Sequence, residues 1–597
     1  TCRKCPHKVH RMEMKTATSC TILRRTDIVG TAMFAPPALV DRAFAAVTPG
    51  WAPLADRTRI LRDAADRLQA QLPQFLGLMM REAGKSAANG IAEVREAVDF
   101  LRYYADQAEA LGPDAAPLGT VVCISPWNFP LSIFTGQAAA ALAAGNAVLA
   151  KPAEETPLTA AAMVAILHQA GVPRAALQFL PGAGDVGAAL CGHAKVAGVV
   201  FTGSNEVARL IQKQLAPRGP IPLIAETGGI NAMIVDSSAL TEQVVNDVLS
   251  SAFDSAGQRC SALRLLCLQD DVADRTLAML KGAMQELRIG DPAVLATDIG
   301  PVITAEAAGR ITAHIDAMRA AGHRVTQTPL PGGAGTFVPP TLIELERIDQ
   351  LDREVFGPVL HVVRYRRRDL DGVVDAVNRL GFGLTFGLHT RLDDTIDHVT
   401  ARIAAGNIYV NRNIIGAVVG VQPFGGQGMS GTGPKAGGPL YVRRLVRQRP
   451  ADNDLAELLP GPVGESNLYR TAPRGQILLL PQTREGLSRM LDAVIATRNS
   501  PVVDGTVVGA AVVRELAPAA RLAATPATEA GIDGVLVEGD AARVADIAVQ
   551  VAARPGKIVP VQSAADVNRD MLVHEVSVSI NTAAAGGNAS LMALGES

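Results

Sequence analysis

The 597-residue chain has little cysteine, few aromatic residues, almost no net charge and no long apolar run. Its seven cysteines are Cys2, Cys5, Cys20, Cys123, Cys191, Cys260 and Cys267. So sparse a set makes no disulfide framework, and it suits a reducing, cytoplasmic setting. A formal net charge of −2, with no basic stripe in the body of the chain, argues against a nucleic-acid partner and against a DNA-binding regulator. No apolar run reaches the roughly 18–20 residues that a membrane span needs. The run "GQAAAALAAGNAVLA" is broken by Gly145 and Asn146 and reads as a buried helix running into a strand. No secretory signal with an apolar core and a cleavage site is visible.

What is present is apolar bulk. The chain is 48% hydrophobic and 19% charged, and its length calls for about three domains. The first 33 residues differ from the rest, with seven Lys/Arg against two acids and three of the cysteines. Cys2, Cys5, His7 and His10 invite a zinc reading, but the second pair follows too closely for a common zinc framework. No metal site is expected, and residues 1–37 are read as an atypical, disordered lead-in. Beyond them, Ile60, Leu61, Ala64, Leu68 and Leu72 fall on one helical stripe. Strand-like segments at 119–125, 146–152, 177–182 and 196–204 then alternate with helical ones. That alternation implies βαβ units and a parallel sheet, which binds ligands beyond the strand carboxyl ends. Asn128, Lys151 and Ser204 sit at those ends.

Each polar candidate has a plain reading beside a functional one. "GAGDVG" at 182–187 matches a dinucleotide pattern and equally a tight strand-to-helix turn. Gly203 and Ser204 open a helix whose free N–H groups favour an anion, and Ser204 is also a natural N-cap. Asn128, between Trp127 and Phe129, is a turn residue or a fixed donor. Glu226 ends an apolar strand and is either a satisfied internal carboxylate or a general base with a raised pKa. Cys260 is a buried structural thiol or a nucleophile.

Taken together these segments resemble the aldehyde dehydrogenase superfamily. The matching stretches are "SPWNFP" (125–130), "KPAEETP" (151–157), "FTGS" (201–204), "ETGG" (226–229), "GQRCSA" (257–262), "EVFGPV" (354–359) and "PFGGQGMSGTG" (423–433), in the family's order. The run "GNIYVNRNIIGAVVGVQPFGGQGMSGTGPKAGGPLY" and the tail "EVSVSINTAAAGGNASLMALGES" are similar to the dehydrogenase part of the bacterial proline utilization A family. The resemblance implies an α/β fold: a Rossmann-like NAD-binding domain at 38–230 with an oligomerisation element near 105–125, and an α/β catalytic domain at 231–422. Residues 423–460 would return to the first domain, and 461–597 would form a C-terminal α/β domain ending in a strand and lid. In its own right, 465–597 reads as strand, helix and strand, with no cysteine.

The implied activity is NAD-dependent oxidation of L-glutamate γ-semialdehyde, the open form of pyrroline-5-carboxylate, to L-glutamate. The resemblance makes Cys260 the nucleophile, Glu226 the base and Asn128 an oxyanion donor. It assigns Lys151, Glu154, Ser204, Gly203, Glu354, Phe356 and Trp127 to NAD. Ser261, Gly416, Ala417 and Phe424 fall to the substrate. A homo-oligomer is expected, and a proline dehydrogenase domain or partner is implied outside this sequence. Arg412, near the 414–420 loop, keeps open a simpler carboxylate-bearing semialdehyde as substrate. An inactive scaffold fragment is the remaining alternative.

Overall fold

The computed structural model describes residues 16–20, 27–330, 335–447, 455–523 and 529–583. Three sheets organise it. The first is fully parallel, with strands ordered Leu177–Phe179, Ala147–Lys151, Thr120–Ile124, Val196–Gly203 and Leu223–Thr227. Its strands are apolar on both faces because helices cover both. Val121 and Cys123 point into the core under the Leu54–Ala70, Ala87–Leu111, Ser132–Ala143 and Pro157–Ala170 helices. Val122, between them, points into the opposite core, under Val40–Ala46, Gly184–Gly192 and Asn205–Leu215. Chain order reverses beside the Thr120–Ile124 strand, so a crevice opens at its carboxyl end, where Asn128 follows.

The second sheet has ten strands. In order they are Arg324–Gln327, Thr341–Leu345, Val359–Tyr365, Leu263–Gln269, Asn231–Val235, Thr385–His389, Asn407–Val410, Val573–Asn581, Glu465–Pro473 and Ala456–Leu459. The seven from Thr341–Leu345 to Val573–Asn581 run parallel, and antiparallel pairs close both edges. The third sheet, five parallel strands from Arg521–Leu522 to Val561–Ser563, is the core of the C-terminal α/β unit.

Two expectations change, and the stretch 105–125 takes a definite place in the fold. Within the supposed lead-in, Thr16–Cys20 pairs antiparallel with Ile28–Met33, because β-branched residues at 16, 18, 28, 29 and 31 favour local strand pairing. Residues 1–15, including the CxxC pair, lie outside the described residues. The stretch 105–125 finishes the Ala87–Leu111 helix, makes one antiparallel bridge from Pro117 to Val446, and then becomes the central strand of the first sheet. The terminal strand does not belong to the C-terminal unit. It inserts into the ten-stranded sheet beside Asn407–Val410, and residues 575–579 are buried on both faces. Its alternation of Val with Glu and Ser reflects an apolar face and a hydrogen-bonded polar face, rather than one solvated side. The lid expected over 583–590 falls almost wholly outside the described residues.

Candidate active site

The turn before Cys260 is conformationally costly. Ser255, Ala256 and Gly257 have φ of 57°, 54° and 64° in succession, a left-handed run that side chains disfavour. Gly257 is required there, since a Cβ would lie 2.2 Å from the Gly357 carbonyl oxygen. One buried cation holds the turn. Arg264 Nη1 donates to the carbonyls of Gly257 (2.7 Å) and Gly357 (3.0 Å), while Nη2 donates to the Arg259 carbonyl (3.0 Å) and to Glu354 Oε1 (3.1 Å). Asn231 Nδ2 fixes the Cys260 carbonyl at 2.7 Å. Asn128 Nδ2 donates to the Gln258 carbonyl at 3.1 Å, so the predicted oxyanion donor sits against the nucleophile turn. Cys260 itself is free and partly exposed. Burial of the sulfur, with Glu354, Glu226 and Glu96 nearby, pushes its thiol up to about 12. The resting group is a thiol, and a base must take its proton before it attacks.

Glu226 faces the same cavity as Cys260. It lies near the end of the Leu223–Thr227 strand. Its Oε2 accepts from the Gly426 N–H at 3.0 Å, and its buried Oε1 has no hydrogen-bond partner among the described residues. Burial pushes the carboxyl up to about 8, against the opposing pull of the Gly426 N–H and Lys435. A carboxyl so poised takes and returns protons near neutral pH.

Cys260, Glu226, Ser261, Gly416, Ala417 and Phe424 line one cavity that opens to solvent. Asn128 is not on its wall. Sequence reasoning missed Glu96, Phe129 and Arg259, which are. Arg259 is paired with Asp254 at 2.6 Å and lies 5.4 Å over the Phe129 ring. Glu96 is pushed up to about 7, chiefly by burial. Arg412 is absent from the wall. Its Nη1 is bonded to Glu465 and to Ser579 Oγ, and its guanidinium stacks over Tyr409, so its charge is already neutralised elsewhere.

The residues predicted to hold the cofactor lie at the carboxyl ends of the first sheet and on the facing loop. Lys151 Nζ is buried, donates to the Pro152 carbonyl at 2.8 Å and lies 3.7 Å from the Glu154 carboxylate. Ser204 caps the Asn205–Leu215 helix by accepting from the Val207 N–H at 3.3 Å, which is the plain reading realised. Gly203 has no room for a side chain, because a Cβ would lie 2.5 Å from the Phe201 ring. Glu354, held by Arg264, is pushed up to about 6, first by burial. The Phe356 ring meets Trp127 edge-on at 5.6 Å and carries Arg264 at 5.2 Å. Among the described residues no group of three or more metal-ligating side chains converges, and no helix is long and apolar enough to cross a membrane.

The aldehyde dehydrogenase family profile matches residues 26–449, a span that holds both the thiol and the carboxyl of this cavity. The chain belongs to the aldehyde dehydrogenase family. Among similar proteins, the bifunctional protein PutA of Rhizobium meliloti is 56% identical over 91% of this chain and 49% of its own length. The 1-pyrroline-5-carboxylate dehydrogenase of Geobacillus kaustophilus is 34% identical over 70% of this chain and 86% of its own. A crystal structure of bifunctional proline utilization A superposes with a TM-score of 0.67 at 52% identity, covering 69% of this chain and 44% of that one. A solved 1-pyrroline-5-carboxylate dehydrogenase gives 0.68 at 32% identity, covering 72% of this chain and 89% of that one. This aldehyde dehydrogenase chain thus spans about half the length of the bifunctional relatives, at 49%, and most of the length of the shorter dehydrogenases, at 86%.

The sequence carried signals for two residues that were overlooked. Arg264 is the one charge in the apolar run "LRLLCL", and Asn231 opens the strand "NAMIV". A polar group in such a place is buried and must be hydrogen-bonded.

Proposed function

We propose that this chain oxidises L-glutamate γ-semialdehyde to L-glutamate with NAD. The observation that carries the reading is the shared cavity: a thiol, Cys260, and a proton-accepting carboxyl, Glu226, on one wall system, with Ser261, Gly416 and Ala417 beside them. The names of the relatives, pyrroline-5-carboxylate dehydrogenase and a bifunctional protein, support the substrate. The committed state of Arg412 removes the cation that favoured a simpler dicarboxylate semialdehyde.

In the mechanism we assign, the Cys260 proton passes to Glu226 and the sulfur adds to the aldehyde carbon. The second N–H of the Asn128 amide and the Cys260 backbone N–H take the oxyanion. Loss of one such donor elsewhere costs about 3–4 kcal/mol. Bound NAD would supply the hydride acceptor that lets the adduct become a thioester. Glu226, having released its proton, then takes one from water as the hydroxyl adds to the thioester carbon. The C–S bond breaks and the sulfur is reprotonated. Ser261 and the Gly416 and Ala417 N–H groups are the donors for the substrate's α-carboxylate, and Phe424 flanks its chain.

The chain's own residues fit the cofactor. Glu154, half-exposed and steadied by Lys151, accepts from ribose hydroxyls and repels a 2′-phosphate, which favours NAD over NADP. Glu354 is fixed by Arg264 as a second ribose acceptor, and Phe356 and Trp127 form an apolar wall for the nicotinamide. Ser204 and Gly203 admit the pyrophosphate at the helix start. A proline dehydrogenase domain or partner would supply the semialdehyde, and a homo-oligomer is the expected assembly.

The test is NADH formation with pyrroline-5-carboxylate, succinate semialdehyde and proline, for wild type and Cys260→Ala. Cys260-dependent signal with pyrroline-5-carboxylate alone supports the reading. Equal rates with succinate semialdehyde would sink the substrate assignment, and a silent but folded, NAD-binding wild type would leave a scaffold.

A further inference from the structure

The peptide unit joining Gly425 to Gly426 lies between two ionisable side chains. Its N–H donates to Glu226 Oε2 at 3.0 Å, and its C=O accepts from Lys435 Nζ at 2.8 Å. Lys435 is buried. Its Nζ also donates to Asn407 Oδ1 at 2.6 Å, and its backbone N–H donates to Glu575 Oε2 at 2.7 Å. Glu575 stands on the terminal strand, and its Oε1 accepts from the Tyr469 hydroxyl at 2.8 Å. Hydrogen bonds therefore link Glu226 through one peptide to the Lys435 ammonium, and the backbone N–H of the same lysine ties it to Glu575 and Tyr469.

The path tolerates no side chain at its centre. A Cβ on Gly425 would lie 2.7 Å from Glu226 Oε1, and one on Gly406 would lie 2.1 Å from the Gly425 carbonyl and 3.0 Å from Lys435 Nζ. With Oε1 unpartnered, the Gly426 N–H is the one fixed donor that Glu226 has among the described residues. The strength of that donor depends on what holds the other end of the peptide.

We propose that Lys435 is a positioning residue that makes Glu226 an effective base at neutral pH, acting through the Gly425–Gly426 peptide, and that Glu575 keeps Lys435 in its charged form. An ammonium on the carbonyl polarises the amide and strengthens its N–H as a donor. A stronger donor favours the carboxylate over the carboxylic acid. The electrostatics agree. Lys435 opposes the upward push of burial on Glu226, and Glu575 opposes the downward push of burial on Lys435, which is brought to about 7. The charged groups that face Glu226 are Lys435 and Glu575, with the Cys260 thiol across the cavity. Those facing Glu575 are Lys435, Tyr469 and Arg444. Behind the pair a small cavity is lined by His574, Arg474 and Asp570 as well. The terminal strand, remote in sequence, thereby acts on the hydrolytic step.

This rests on Glu226 being the base for thioester hydrolysis, and the experiment separates the two claims. Full-length Lys435→Met, Lys435→Arg, Glu575→Gln and Glu226→Gln are compared for the NADH burst and the steady-state rate across pH. Glu226→Gln should slow the burst and lose turnover, because the same carboxyl takes the Cys260 proton; if it turns over normally, the base assignment falls and the proposal with it. With that control in hand, Lys435→Met should keep the burst amplitude and move the rising limb of the steady-state rate about one pH unit higher. That shift slows turnover about tenfold at neutral pH. Lys435→Arg should restore most of the rate. An unshifted limb in Lys435→Met overturns the proposal alone. Should that variant fail to fold, Glu575→Gln carries the test: the amide oxygen accepts from the Lys435 N–H, its NH2 donates to the Tyr469 oxygen, and the limb should move the same way. An unmoved limb there is equally fatal.

Discussion

Arg264 Nη2 lies 3.1 Å from Glu354 Oε1, and the same guanidinium holds the carbonyls of Gly257, Arg259 and Gly357. One side chain thus ties the nucleophile turn to the loop proposed to meet the nicotinamide ribose. Removing it strands a largely buried carboxylate and three carbonyls. Arg264→Met should cost about 3–5 kcal/mol, read by urea unfolding, and should raise KM for NAD. Arg264→Lys should recover only part of the loss, because an ammonium cannot reproduce the fork. Unchanged stability and KM in Arg264→Met would show that the turn holds itself.

Gly257→Ala tests the turn from the backbone side. The Cβ would meet the Gly357 oxygen at 2.2 Å, at a φ of 64°. The left-handed penalty alone is about 1–2 kcal/mol, and the clash adds to it. The expected result is a lower Tm together with a loss of turnover greater than tenfold. A variant of normal Tm and rate would contradict the geometry.

The Cys260 thiol, pushed up to about 12, is protonated in the resting protein. Alkylation by iodoacetamide without cofactor should rise about tenfold per pH unit from pH 7 to 9 with no plateau, since the thiolate is the reactive form. With Cys2, Cys5 and Cys20 replaced by serine, Cys260→Ser should abolish the fast labelling, because Cys123, Cys191 and Cys267 are buried. A plateau below pH 8 would mean that the thiol is already activated at rest.

Glu226 gives a stability prediction with a definite sign. Its folded-state value, about 8, lies above the ordinary 4.5. Between those values the unfolded chain has released a proton that the folded chain retains, so this group makes stability fall as pH rises. Glu226→Gln, which cannot ionise, should therefore raise Tm relative to wild type at pH 8, and the gain should shrink toward pH 5. The same variant should lose turnover, because no base remains to take the Cys260 proton or to activate water. A Tm gain independent of pH would mean that the carboxyl is not the titrating group.

Much of the site was legible because its chemistry is written locally. A cysteine among small residues and a glutamate ending an apolar strand before paired glycines are short-range signals, and both residues reached one cavity. Ser204 also read correctly as a helix cap. Arg412 misled, because proximity in sequence to the 414–420 loop says nothing of Glu465 and Ser579, which come from later strands and take its charge. The terminal strand, expected to end the C-terminal domain, misled for a related reason. Its alternation of Val with Glu and Ser is what a half-solvated strand would show, and only its neighbours reveal that both faces are covered.

By itself the sequence determined which segments become strands and helices, that parallel sheets result, and which side chains are the candidates for chemistry. Those follow from periodicity, glycine placement and residue type, which act over a few residues. Only the tertiary structure decided that Arg264 locks the nucleophile turn, that Val573–Asn581 enters the ten-stranded sheet, and that Lys435 and Glu575 stand behind Glu226. Each of these relationships depends on at least one contact between residues 93 or more positions apart. Burial makes an unpaired charge costly, but which partner satisfies it is fixed only when distant strands are in register.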